Sequence, residues 1–128
     1  MIPTLALNIF FEDKTANLIM IEEQMQAQCA TWFWNEYPKY RRLLHCNMNN
    51  QSHRIAGATA KAMGVVKGVS DLELIWFDVW FIELKQPGKT QSEEQKDFQA
   101  KVEAMGHKYV VIFSFEEFKT LIWKIIGK

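Results

Sequence analysis

Asp71-Leu72-Glu73-Leu74-Ile75-Trp76-Phe77-Asp78-Val79-Trp80-Phe81-Ile82-Glu83-Leu84-Lys85 is the stretch on which the fold turns. Asp71–Ile75 and Val79–Lys85 are apolar runs, and the short Trp76-Phe77-Asp78 link between them reads as the turn of an antiparallel hairpin. Side chains alternate along a strand, so Glu83 and Lys85 share one face while Leu84 enters the other. Asp71 opens the partner strand, which places a second carboxylate beside Glu83. An isolated Glu-x-Lys is ordinarily a same-face ion pair on a solvated surface. Here the preceding Trp80-Phe81-Ile82 is apolar on both faces. Charges ending such a strand are better explained by a site at the sheet edge than by a strand exit into solvent. Two carboxylates and a lysine on one face suit a hard divalent cation held by oxygen, with the lysine left to meet an anion or the attacking water.

Downstream, Pro87-Gly88 breaks the strand, and Ser92-Glu93-Glu94-Gln95 has the form of a capping box. That predicts a helix to about Met105, closed by Gly106. Lys108–Phe113 reads as a buried strand, and Ser114-Phe115-Glu116-Glu117 as a second capping box opening a helix through about Ile126. The strand-helix-strand unit after Val79 is expected to form a right-handed parallel crossover. Upstream, Leu18, Ile21, Met25, Cys29 and Trp32 recur at helical spacing from about Ala16 to Tyr37, and Pro38 marks the stop. Leu43–Met48 reads as a short strand, followed by the polar turn Asn49-Asn50-Gln51. Ser52 can cap a helix running to Met63, with Gly64 as its C′ residue. Met1–Phe11, within the first 15 residues, reads as an extended or dimer-contacting arm. The order α, β, α, β, β, α, β, α predicts a mixed α/β layer architecture.

The chain has 128 residues, enough for one domain and not comfortably two. A hydrophobic content of 48% with 23% charged residues is globular composition and excludes intrinsic disorder. The 15 basic and 15 acidic residues cancel, which globally argues against a nucleic-acid binder. Their distribution argues otherwise. Pro38–Ser70 holds Lys39, Arg41, Arg42, Arg54, Lys61 and Lys67, together with His45 and His53, and no acid, whereas the remainder carries 9 basic and 15 acidic residues. Such polarity favours one anion-facing side. Cys29 and Cys46 form no CxxC pair and no disulfide framework, which points to a reducing, intracellular setting. No apolar run approaches a membrane span, and Met1–Phe11 lacks the basic n-region of a signal peptide. No GxGxxG or GxxxxGK[ST] motif supports nucleotide hydrolysis, and the histidines have no zinc spacing.

Three ordered blocks make the reading specific. Gly64-Val65-Val66-Lys67-Gly68-Val69-Ser70-Asp71-Leu72, then Phe81-Ile82-Glu83-Leu84-Lys85, then Ser92-x-x-Gln95, resembles the VRR-NUC family, a branch of the PD-(D/E)xK nuclease superfamily. Glu22-x-x-x-Gln26 with Cys29 and Trp32-Phe33 looks like the family's first helix, and His45–Asn50 like the loop before its second, so the likeness runs from about Glu22 to Ile122. The resemblance implies a single 1–128 nuclease domain, a mixed central sheet flanked by helices. It also implies that Asp71 and Glu83 bind Mg²⁺ or Mn²⁺ with the backbone carbonyl of Leu84, and that Lys85 is the catalytic lysine. Glu22 would complete the acidic cluster through a water. Glu23 competes for that place, but Glu22 shares a helix face with Gln26, Cys29 and Phe33. Gln95 would face the active site as well as serve as the capping partner of Ser92. Ser70 stands where the superfamily has proline. That leaves the metal ligands untouched and gives room for a looser loop after Gly68.

The function implied is a metal-dependent DNA endonuclease that hydrolyses phosphodiester bonds to 5′-phosphate and 3′-hydroxyl ends. Arg54, Lys61, Lys67 and Asn50 are the candidate DNA contacts. Compact members of this family, typical of phages and bacteria, are associated with homodimers and with branched DNA such as Holliday junctions. A two-fold dimer matches a two-fold substrate. Trp32, Trp34 and Trp123 are available for an interface, though core packing accounts for most such residues. The expected setting is the cytoplasm or nucleoid of a bacterial or phage-infected cell. Two other readings compete: a non-catalytic DNA-binding scaffold dimer and a sequence-specific, restriction-type nuclease. The intact trio Asp71, Glu83 and Lys85 argues against the first.

Overall fold

Alternating apolar residues in the central hairpin build the middle of a four-stranded sheet. The computed structural model describes residues 14–47 and 57–127. The elements are α1 (Lys14–Glu36), a 3₁₀ helix (Pro38–Leu43), β1 (Leu44–Cys46), α2 (Gly57–Ala62), β2 (Leu72–Trp76), β3 (Asp78–Leu84), α3 (Glu93–Ala104), β4 (Lys108–Ile112) and α4 (Phe115–Ile126). The strands lie in the order β1-β2-β3-β4. The first two pairings are antiparallel and β3–β4 is parallel, the last bridged by α3 as expected for a strand-helix-strand unit.

One sheet face carries Leu72, Leu74, Ile82, Leu84 and Ile112, every second residue along the strands. Against it pack Met25, Cys29 and Phe33 of α1 and Phe118 and Ile122 of α4. Met25, Cys29 and Phe33 follow one another at four-residue steps, the spacing that keeps side chains on one helix face. Each such side chain contributes about 1.5–3 kcal/mol when removed from water. Cys29 is wholly buried there, and burial pushes its thiol up to about 12, so it acts as packing and not as a nucleophile. Trp32 meets Tyr37, Phe115, Phe118 and Trp123 edge-on at 6.0–6.2 Å, which places Trp32 and Trp123 in contacts within the chain. On the opposite face, Phe98 of α3 meets Phe81 and Tyr109 at 5.0 and 6.2 Å.

The structure refines the sequence reading in four places. Pro38 stops α1 as expected, and its fixed φ then opens the 3₁₀ helix, which shortens the expected strand Leu43–Met48 to Leu44–Cys46. Trp76 and Asp78 pair directly, leaving Phe77 alone at the hairpin apex with φ 58°. The capping box at Ser92 is complete, whereas at Ser114 only half forms. There Glu117 N–H donates to Ser114 Oγ at 3.1 Å, but the Glu117 carboxylate accepts from Phe113 N–H instead of the cap residue. Finally, the second upstream helix spans Gly57–Ala62 among the described residues. The expected Ser52 cap, the Asn49-Asn50-Gln51 turn and the Met1–Phe11 arm lie outside them.

Candidate active site

Continuing the β2–β3 register one residue beyond Leu72↔Ile82 sets Asp71 opposite Glu83. The Asp71 backbone turns away, its carbonyl accepting from Asn47 N–H at 2.9 Å in an extension of the β1 edge. The two acids therefore face each other at a non-hydrogen-bonded position, where opposed side chains approach most closely. Both are buried. Asp71 Oδ2 accepts from Leu84 N–H at 2.8 Å. An extended residue turns its N–H and C=O to the same strand edge, so the Leu84 carbonyl faces the Asp71 side as well.

Glu83 Oε2 accepts from Gln95 Nε2 at 2.9 Å and lies 3.8 Å from Lys85 Nζ. Gln95 reaches it from the first turn of α3 while its other amide atom, Oε1, accepts from Ser92 N–H at 2.8 Å. One side chain thus closes the helix cap and holds the Glu83 carboxylate. Glu83 Oε1 is buried with no hydrogen-bond partner among the described residues. Burial, reinforced by the charge of Asp71, pushes the Glu83 carboxyl up to about 8, with Lys85 opposing. Asp71 is raised too, chiefly by burial, with Glu22 adding to the rise and the Leu84 hydrogen bond opposing it. Near neutral pH this pair therefore retains a proton unless a cation takes its place.

That environment is a test of whether a divalent cation suits the site. Two crowded carboxylates, a buried oxygen with no donor and a strand-edge carbonyl form an all-oxygen donor set for a hard cation. The residues present fit. Glu22, half-buried on α1, acts on Asp71 through space and forms no direct group with it: no three His, Cys, Asp or Glu side chains among the described residues converge as a metal cluster.

The loop leading into Asp71 is held firmly, which corrects the expectation that serine in the proline position loosens it. Ser70 is wholly buried, its Oγ donates to the Leu72 carbonyl at 3.0 Å, and its own carbonyl accepts from Asn47 Nδ2 at 3.0 Å. Gly68, with φ +86°, lies so close to α3 that a Cβ would sit 2.5–2.8 Å from Glu94. Only glycine meets both demands. Asn47 and Gly68 position the approach to Asp71, a role that the linear sequence, which showed them only as parts of longer blocks, did not assign to them. A polar residue just past a short strand and a glycine three residues before Asp71 carry no periodic signal. The Tyr109 hydroxyl is buried as well, and burial pushes it up to about 12. Lys61 and Lys67 are exposed, on α2 and on the loop before Ser70. Arg54 and Asn50 lie outside the described residues, and so does His53.

No family model matches the chain, and the curated proteins contain no match to it. Solved structures do match. One, described as "VRR_NUC domain protein", superposes with a TM-score of 0.68 over 82% of this chain and 87% of its own, at 20% identity. The chain therefore has the fold of that domain, a mixed α/β sheet flanked by helices, the layer architecture expected from the order of its elements. Among the described residues no helix is long and apolar enough to cross a membrane.

Proposed function

We propose that this chain is a metal-dependent DNA endonuclease of VRR-NUC type that acts as a homodimer on branched DNA. The observation that carries the reading is the pair Asp71 and Glu83, buried face to face, with Glu83 Oε1 unpartnered and Lys85 Nζ 3.8 Å from its sister oxygen. A site built only for stability would not bury two carboxylates against each other, because each raises the cost of ionising the other. The fold shared with a VRR_NUC domain supports the same reading.

Asp71, Glu83 and the Leu84 carbonyl are the groups that would hold Mg²⁺ or Mn²⁺, with Glu22 at longer range. Such a cation polarises a phosphate oxygen and acidifies water. The chain's own residues do the rest. Asp71 is fixed by the Leu84 N–H and Glu83 by Gln95, so neither carboxylate needs to reorganise when it accepts a ligand. Lys85 is three-quarters or more buried yet reaches the site edge, where its ammonium can orient the attacking water or offset charge developing on phosphorus. Lys61, Lys67 and Arg54 supply phosphate contacts that position the strand without reading its sequence.

Digestion of a four-way junction and its matched linear duplex, each with Mg²⁺, Mn²⁺ or EDTA, tests the proposal. Metal-dependent strand cleavage with preference for the junction is expected. Binding without cleavage under every condition would leave the scaffold reading, and equal cutting of linear duplex would remove the branched-DNA preference. Lys85→Ala is expected to lose most turnover while binding Mn²⁺ normally in a calorimetric titration. A loss of Mn²⁺ affinity as large as that of Asp71→Ala would make Lys85 structural.

A further inference from the structure

Phe77 stands alone at the tip of the β2–β3 hairpin, and two features set it apart from every other large apolar side chain described. It is fully exposed, and its φ of 58° lies in the left-handed region that bulky residues avoid. Glycine or asparagine at this apex would remove the strain and the exposed ring together. A strained backbone that displays a ring to solvent is a reason to ask what the ring meets.

Its surroundings narrow the answer. Trp76 meets Phe77 edge-on at 6.1 Å, and Tyr40 meets Trp76 at 4.8 Å, so the hairpin tip is tied to the 3₁₀ helix Pro38–Leu43. That helix displays Lys39, Arg41 and Arg42, all exposed, and none of the three is in an ion pair among the described residues. Ile75, also exposed, lies on the strand face that leads back through Glu73 to Asp71. Exposed cations thus lie on the helix tied through Tyr40 and Trp76 to a protruding aromatic ring, and among the described residues only the Arg41 side chain is engaged by a carbonyl, that of Trp34. Such a set matches the chemistry of a nucleic-acid backbone with an unstacked base. A protein interface centre is enriched in arginine and aromatic rings but depleted in lysine, so it is Lys39 and the excess of three cations with no acid among them that weigh toward nucleic acid. Asp71 and Trp76 are five residues apart, about 17 Å of strand. That distance equals about five base steps of duplex along its axis.

We propose that Phe77 is a stacking wedge for an unpaired or unstacked base, flanked by phosphate contacts from Lys39, Arg41 and Arg42, about five base steps from the cleavage site. The proposal rests on the DNA reading above and deepens it. A continuous duplex offers no free base face, whereas a branch point whose arms are unstacked exposes those of its innermost pairs, so Phe77 gives the chain a means of favouring branched DNA that is separate from the catalytic carboxylates.

The test measures binding in EDTA, without cleavage, to a four-way junction bearing 2-aminopurine at the branch and to the matched linear duplex. Phe77→Gly suits the left-handed backbone and is expected to melt no lower than the wild type. It is expected to bind the junction about ten-fold more weakly, with duplex binding unchanged and the 2-aminopurine fluorescence change lost. Phe77→Trp is expected to restore both. Junction binding by Phe77→Gly equal to that of the wild type overturns the wedge alone. Equal losses on junction and duplex, accompanied in light scattering by a fall from dimer to monomer mass, would overturn it in favour of a second copy of this chain as the occupant. Failure of the wild type to bind either DNA overturns the nuclease reading and the wedge with it.

Discussion

Glu83 gives one oxygen to Gln95 and Lys85 and buries the other without a hydrogen-bond partner among the described residues, while burial beside Asp71 pushes its carboxyl up from 4.5 to about 8. The sign of the consequence is fixed by where the proton resides. Between pH 4.5 and 8 the folded chain keeps a proton that the unfolded chain has released, so this group's contribution is full below pH 4.5 and is lost as pH rises through 8. In EDTA, the melting temperature of the wild type relative to Glu83→Gln is therefore expected to fall across that interval, and Mg²⁺ is expected to flatten the difference. A difference that stays constant or rises would show that Glu83 is not buried beside a like charge. The same Glu83→Gln change is expected to cut cleavage at least about a hundredfold, since altering even groups that only orient a ligand costs 10–100-fold. Near wild-type cleavage in Mg²⁺ would move the metal site elsewhere.

Helix α3 joins local and long-range structure at Gln95. Ser92→Ala removes only the cap and is expected to cost about 1 kcal/mol of stability, with Mn²⁺ affinity unchanged. Gln95→Ala removes the other half of the capping box together with the hydrogen bond to Glu83. It is expected to lower stability by a similar amount and also to weaken Mn²⁺ binding about tenfold or more. Calorimetric titration of the two variants side by side separates the roles, and matching Mn²⁺ affinities would reduce Gln95 to a cap. The same helix start is seated by Gly68, whose backbone is pressed against Glu94. The loop, the helix and the β3 end thus form one support, and a shift in any of them displaces a ligand or its holder.

Across the whole molecule, basic and acidic residues cluster in different segments of the chain. The 3₁₀ helix carries Lys39, Arg41 and Arg42, and α2 and the loop after it carry Lys61 and Lys67, while α3 begins with Glu93 and Glu94 and α4 with Glu116 and Glu117. Binding through the basic side is expected to weaken steeply with salt, because each neutralised phosphate releases counterions. A dimer is expected in solution, with a mass near twice the 15.0 kDa of one chain by light scattering. A junction affinity independent of salt, or a monomer mass at working concentration, would remove the paired-site account of branched-DNA cleavage and leave the nuclease chemistry to be judged on the carboxylates alone.

The sequence by itself determined what depends on backbone period and short-range chemistry. Alternation put Glu83 and Lys85 on one face, the hairpin returned Asp71 to Glu83, and Ser92 with Gln95 announced the start of α3. These follow from a two-residue strand repeat and from helix-end hydrogen bonding, which act over a few residues and leave their mark in the order of the chain. Tertiary structure alone decided that the Gln95 amide reaches Glu83 across twelve residues, that Leu84 N–H fixes Asp71, and that Asn47 and Ser70 brace the approach to it. It also decided that Pro38 begins a new turn as well as ending a helix, and that Phe77 faces solvent in a strained conformation. Each depends on strand register and on which helix is pressed against which edge. Those are set by the summed burial of the core, so these contacts leave no local pattern even where the residues that make them, such as Gln95 and Pro38, carry one.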